Sequence, residues 1–305
     1  MKDICCIGHL TRDKIITPSS TVYMAGGTSF YFANALAQLP DDISFQLVTK
    51  VGKESMAEIE KMRGNGIDVI CYDSHHSVYF ENKYGADTNR RTQRVLAKAD
   101  PFTVEEVEDV DAKIYHLGSL LSDDFPVSVV ETLSKKGLIS IDVQGYLRNL
   151  VPNPSTANEG DGVAEQSWSV APCQWKEKKQ VLAMTDILKL NEYEMQVITD
   201  SNDPYTVARK LSDLGVREVV LTFGNYGSLI YAAGNFYEVP AYRPRRLVDA
   251  TGCGDTYSAG YLYCRAQGET PIESGKFAAA MCTLKLEQHG PFCGTIDDVC
   301  AILQR

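Results

Sequence analysis

Short apolar runs return along the chain with helical patterns between them, and this alternation narrows the available folds more than any other feature. Asp3–Ile7, Phe45–Val51, Ile114–Leu117, Leu138–Asp142, Ile187–Leu190 and Arg217–Thr222 read as strands. Several are apolar on both faces, as strands inside a parallel sheet are. Ser29–Leu39 repeats apolar residues at helical spacing; Val127–Lys135 and Val207–Leu214 do the same before Gly137 and Gly215, residues suited to end a helix. The resulting βαβα order predicts an α/β fold with a Rossmann-like, mostly parallel sheet and helices on both faces.

Two stretches interrupt the alternation. Val78–Tyr84 and Arg91–Ala97 are extended runs around the turn-forming Gly85–Asn89, which predicts an antiparallel hairpin inserted as a β-lid. Pro152–Ser167 has almost no apolar periodicity and reads as an exposed loop. At 305 residues, with no repeat and no long linker, the chain reads as a single domain, residues 1–305, with lid strands at approximately 14–24 and 72–98.

Charge and cysteines exclude several functions. The net charge is −10 and the basic residues are dispersed, so a nucleic-acid footprint is missing. Nine cysteines, an odd number without CxxC pairs, indicate a reduced, cytoplasmic protein. No stretch approaches the ~20 apolar residues of a membrane span, so no membrane partner is expected.

The chemistry concentrates in Asp249-Ala-Thr-Gly-Cys-Gly-Asp255, ahead of an apolar pattern with helical spacing that runs to Gly268. Leu247–Val248 reads as a strand end, and Gly252–Gly254 as the turn that opens a helix. Such a turn presents free N–H groups and the positive end of the helix dipole, and its glycines let an anion approach the backbone. Asp255, in the first helical turn, has two readings: a carboxylate that complements the dipole, or a general base beside an anion hole. A P-loop is absent, since the lysines after Gly52 and Gly275 are followed by Glu54 and Phe277. A dinucleotide fingerprint fails at Tyr257 and lies at the wrong end of the chain.

This stretch resembles the DTxGAGD signature of the ribokinase (PfkB-type) family of small-molecule kinases. Further motifs recur in order: Gly8-His-Leu-Thr-Arg-Asp13, the pair Gly26-Gly27, Asn191-Glu-Tyr-Glu194, and Thr222-Phe-Gly224-Asn-Tyr-Gly227. The resemblance implies a ribokinase-like fold and transfer of the γ-phosphate of ATP to an alcohol. Asp255 would take the hydroxyl proton while the backbone of Gly252, Cys253 and Gly254 holds the developing charge. Thr222, Gly224, Gly227 and Thr251 would lie beside the nucleotide. Asn191 and Glu194 would act on Mg²⁺ through its waters; by themselves they read as a helix cap and a solvated acid. The family also leaves room for a monovalent cation such as K⁺, and for a homodimer formed through the lid.

Two departures from the signature, Ala250 and Cys253, are small; Cys253 reads as a spacer rather than a reactive thiol. A third, Tyr31 where many relatives place Asn, changes the substrate side. On that side the chain is most similar to the myo-inositol kinase branch, through Gly26–Tyr31, Asn89-Arg-Arg to Asp100-Pro101, and Asp142-Val-Gln-Gly-Tyr-Leu-Arg148. Asp13, Gly26, Gly27 and Arg148 are then the expected substrate residues, with Asp13 bridging adjacent hydroxyls. The alternatives are another sugar or nucleoside kinase, or an inactive regulator that binds a polyol or nucleotide. A dinucleotide-dependent oxidoreductase is disfavoured by the missing early fingerprint.

Overall fold

The computed structural model describes residues 1–84, 91–153 and 167–304. Fifteen strands and nine α-helices are found among these residues. The first half contains β1 (Lys2–Gly8), β2 (Thr11–Ile16), β3 (Thr21–Gly26), α1 (Thr28–Leu36), β4 (Phe45–Val51), α2 (Met56–Gly64), β5 (Val69–Asp73), β6 (Val78–Tyr84), β7 (Arg91–Ala97), β8 (Ala112–Gly118), α3 (Val127–Ser134), β9 (Leu138–Asp142) and β10 (Arg148–Asn153). The second half contains β11 (Ser167–Pro172), α4 (Lys178–Leu182), β12 (Ile187–Asn191), α5 (Glu192–Thr199), α6 (Pro204–Asp213), β13 (Glu218–Thr222), β14 (Ser228–Ala232), β15 (Asn235–Val239), α7 (Cys253–Ala266), α8 (Pro271–Lys285) and α9 (Ile296–Leu303).

Nine strands form one sheet in the order β15-β14-β13-β12-β9-β8-β1-β4-β5, parallel from β13 to β5 and closed by the antiparallel β14 and β15. Strand alternation divides the core. Ile4 and Cys6 of β1 join the layer containing Phe32, Tyr261 and Met281, whereas Cys5 and Ile7 join the layer of Tyr115, Ile139 and Leu188. From β1 the chain runs outward through β4 and β5 on one side, and through β8, β9, β12 and β13 on the other. The reversal at β1 opens a crevice at the carboxyl ends of the strands, where open α/β sheets bind ligands.

The second sheet has the order β10-β11-β7-β6-β2-β3. Its β6–β7 hairpin pairs as expected, from Tyr79 with Ala97 to Tyr84 with Arg91. The predicted turn at Gly85–Asn89 lies outside the described residues. The loop reading of Pro152–Ser167 is corrected at its ends: Pro152 and Asn153 close β10 and Ser167 opens β11, six residue pairs joining the two strands from Arg148–Pro172 to Asn153–Ser167. Residues 154–166 lie outside the described residues.

Leu247–Val248 forms no strand. The N–H groups of Val248 and Asp249 instead donate to the Leu286 carbonyl, at 2.8 and 3.4 Å, tying this segment to the end of α8.

Candidate active site

Three parallel strands end in polar residues at one edge of the main sheet: β9 in Asp142, β12 in Asn191 and β13 in Thr222. The N-terminus of α7 faces this edge. Gly252 caps the helix at φ +76°, in the left-handed region, and a Cβ there would enter the Tyr31 ring. Asp255 lies in the first turn, where the carboxylate also feels a hydrogen bond from the Thr28 side chain. Burial, with Asp142 nearby, pushes its pKa up to about 6 despite the opposing Lys189 ammonium.

Lys189 is a basic residue beneath the turn. It interrupts the apolar face of β12, and its Nζ stands 2.5 Å from Asp142 Oδ2; a Cβ on Gly254 would lie 3.2 Å from the same nitrogen. Burial alone would lower the lysine and raise the aspartate, but their mutual attraction wins in both directions. Lys189 is held above, and Asp142 below, its ordinary range. Neither residue was assigned to the site from sequence. The signal was a lysine in ILKLN, a strand otherwise apolar up to its terminal Asn191.

Asn191 and Glu194 form a capping box at the start of α5. Asn191 Oδ1 accepts from the Tyr193 and Glu194 N–H groups, and Glu194 Oε2 accepts from the Asn191 N–H at 2.9 Å. The structural reading is therefore present for both. Glu194 is nevertheless not a solvated acid: burial and Asp142 push it up to about 7. Its other oxygen is not used by the cap, and a buried carboxylate with this shift favours a cation. Among the described residues, no group of three or more His, Cys, Asp or Glu forms a self-sufficient metal cage. The donor set suits an ion that keeps waters and phosphate oxygens as ligands, as Mg²⁺ does.

The residues expected on the acceptor side lie on β2, β3 and α1. Asp13 lies within β2, where Oδ1 accepts from Thr11 Oγ1 at 2.8 Å. A Cβ on Gly26 would fall 2.5 Å from Asp13 Oδ2, and one on Gly27, at φ +91°, would fall 2.8 Å from the His9 carbonyl. These glycines keep the backbone clear beside the aspartate. Tyr31, the departure noted in sequence, is 2% exposed, and its hydroxyl has no hydrogen-bond partner. Burial raises its pKa, and Asp13, Asp249 and Asp255 raise it further, so the phenol stays protonated among carboxylates. Arg148, first residue of β10, is close enough for its charge to lower both Asp255 and Glu194. On the second sheet Arg94 is engaged by Glu81, its Nε at 2.9 Å from Oε1, and Lys83 is exposed.

On the other side of Gly254 opens a cavity of about 710 Å³. Thr222, Gly224 and Gly227 line it, as do Tyr242, Leu247 and Cys253. Thr251 does not; it is exposed, with its N–H on Asp249 Oδ1 at 2.9 Å. Cys253 follows the spacer reading, because burial pushes its thiol up to about 12.

A carboxylate at a helix N-terminus, with an anion-receiving turn and a cavity beyond it, defines a phosphotransferase that acts on a hydroxyl group. The description "pfkB family carbohydrate kinase" matches residues 157–294. A cytidine kinase of Thermococcus kodakarensis is 26% identical over 281 residues, 90% of this chain and 91% of its own. A pyrophosphate-dependent kinase of the ribokinase family, solved with a pyrophosphate analogue and myo-inositol, superposes with a TM-score of 0.82 at 26% identity, covering 98% of this chain and all of its own. Arabidopsis thaliana ribokinase, solved with ribose and ATP, shares the fold with a TM-score of 0.76 at 18% identity, covering all of this chain and 99% of its own. The chain is thus similar to sugar and nucleoside kinases of the pfkB family over nearly its whole length, and it is a phosphotransferase acting on a hydroxyl group. No helix among the described residues is long and apolar enough to cross a membrane.

Proposed function

We propose that this protein transfers the γ-phosphate of ATP to a hydroxyl of a small polyol, with myo-inositol as first candidate. The observation that carries the ATP assignment is the 710 Å³ cavity behind Gly254. Leu247, Tyr242, Ala279 and Leu286 give it apolar walls suited to a nucleoside; a bare pyrophosphate would use only the polar end at the turn. Support for a polyol comes from the acceptor side, where a carboxylate, a guanidinium and a buried phenol alternate acceptors and donors. It also comes from the likeness to the myo-inositol complex.

In this reading Asp13 accepts from adjacent acceptor hydroxyls, and Arg148 donates to the acceptor or the transferred phosphoryl. Asp255 removes the proton of the attacking hydroxyl. The N–H groups of Gly252 and Gly254 receive the phosphoryl oxygens, that of Cys253 being held by the Ala250 carbonyl, with the Lys189 charge beneath them. Glu194 and Asn191 would hold Mg²⁺, which would supply charge neutralisation at the donor phosphates. A raised carboxyl suits the base, since it still ionises near neutrality but binds a proton more readily than an exposed aspartate.

A nucleoside acceptor is the second reading, favoured by the cytidine kinase relationship. We also propose the second sheet as a lid on a single domain, residues 1–305, and its β3 edge, with Val22 49% and Tyr23 63% exposed, as a homodimer contact in a cytoplasmic enzyme.

The test is product formation from ATP–Mg²⁺ or pyrophosphate across myo-inositol, hexoses, pentoses and nucleosides, beside Asp255→Asn. ATP-dependent turnover of inositol, lost in the variant, is expected. Turnover with pyrophosphate alone overturns the donor assignment; turnover of cytidine but not inositol selects the second reading. Binding without any turnover replaces the kinase with a regulator.

A further inference from the structure

Lys285 has no part in the reaction described above, yet it is 0% exposed. Its Nζ lies 3.1 Å from the Asp249 carbonyl, 3.4 Å from the Gln288 carbonyl and 3.6 Å from Asp249 Oδ2. Three oxygens thus face one ammonium at the C-terminal end of α8, the negative end of that helix. The same helix end holds the segment before α7 by other bonds. The Leu286 carbonyl accepts from Val248 and Asp249, and Cys282 Sγ donates to the Cys253 carbonyl at 3.1 Å. Asp249 Oδ1 accepts from the Thr251 N–H at 2.9 Å, and the Ala250 carbonyl from the Cys253 N–H at 3.2 Å. A connected set of bonds therefore runs from the lysine through Asp249 into the Gly252–Gly254 turn.

We infer that Lys285 is a tethered cation that orders this turn in place of a free alkali ion, so that the enzyme requires no added monovalent cation. Two carbonyls and a carboxylate converging on one point are the ligands an alkali ion takes. An ammonium has the same charge as K⁺ and a similar size, and its three N–H groups match the three oxygens. Being attached to the chain, it occupies the position at any ionic composition of the solvent. Without it the three oxygens would face one another inside the protein, and the Asp249 carbonyl would lose the contact that fixes its direction. Lys285 is a positioning residue, since it touches neither reactant. The inference rests on reading Gly252–Gly254 as the phosphoryl-receiving turn.

The test compares the protein with Lys285→Met at constant ionic strength, in tetramethylammonium salt with and without K⁺, Na⁺ or ammonium. Initial rates and thermal melting are both read. The unaltered protein should change in rate by less than about twofold, and its melting temperature should not respond to K⁺. Lys285→Met should lose about tenfold to a hundredfold in kcat through misplacement of the turn. K⁺ or ammonium should restore part of that loss and raise the variant's melting temperature, whereas Na⁺ should do less. Severalfold activation of the unaltered protein by K⁺, or a rise in its melting temperature with K⁺, overturns the inference. So does a folded Lys285→Met whose rate and melting are unchanged and blind to cations. If the variant does not fold, the cation series on the unaltered protein decides. If no acceptor is turned over, the kinase reading fails and the melting comparison still judges Lys285.

Discussion

Asp255 is placed where ionising it is costly, and this has separable consequences for rate and stability. As the proposed base it must be deprotonated, so activity should be lost as pH falls through about 6, the value to which burial and Asp142 raise it. Asp255→Asn should lower kcat by roughly 10²–10⁴-fold. For stability the sign is opposite. A carboxyl raised in the folded state contributes stability that is fully present below its unfolded value of 3.8 and is lost as pH rises through about 6. Asp255→Asn should therefore melt higher than the parent at pH 8, and the difference should vanish near pH 3; a variant that melts lower at pH 8 would show that the carboxylate is not the destabilising group. Lys189 opposes the shift, so Lys189→Met should move the acidic limb of the rate profile to higher pH, and an unmoved limb would detach Lys189 from the base. Tyr31→Phe removes a buried donor without emptying the space above Gly252. We expect the acceptor KM to rise about tenfold, as loss of a neutral hydrogen bond of roughly 1–1.5 kcal/mol allows, while the ATP KM holds. An equal rise in both constants would mean that the phenol organises the turn rather than the acceptor.

The elements differ in how openly the sequence announces them. The main-sheet strands were legible because burial on both faces leaves short runs rich in apolar residues, and Phe45–Val51 and Leu138–Asp142 fall where that pattern puts them. The second sheet was less legible because its buried positions are not uniformly apolar and fall on both faces of a strand. Glu81 and Asn82 are buried there, satisfied across the hairpin by Arg94 and Gln93, and such pairing has no period in one strand's sequence. Leu247–Val248 misled in the other direction: Leu247 is apolar yet 74% exposed, because it borders the cavity rather than the core. The turn that opens α7 was legible from its glycines, whereas its underside was not, since Lys189 and Lys285 read as ordinary lysines until the fold aims them. The helix pair that carries the turn also makes a prediction. A Cβ on Gly260 of α7 would lie 2.6 Å from Met281 Sδ and 3.1 Å from the Ala278 Cα of α8. Gly260→Val should cost about 1–3 kcal/mol, seen as a lower denaturation midpoint; an unchanged midpoint would mean that the two helices separate freely.

Across the whole molecule, the groups proposed for the acceptor come from β2, β3, α1 and β10, while the cavity proposed for the donor is walled by segments after β12. Ligand binding on both sides of α7 should therefore stabilise the fold. At a hundredfold excess over Kd, one ligand contributes about 2.7 kcal/mol. Differential scanning with the acceptor alone should raise the melting temperature of the parent, and Asp13→Asn should lose most of that rise while keeping the response to ATP. If both responses persist, Asp13 is not an acceptor ligand.

The proposed acceptor and donor residues also separate along the polypeptide. Residues that would choose the alcohol come mainly before position 150, whereas the matched family region, 157–294, includes most of the donor wall. A lineage built this way can exchange one half of its chemistry while inheriting the other. Recombining the first half of this chain with the second half of a relative should give hybrids whose acceptor follows the first parent and whose phosphate donor follows the second.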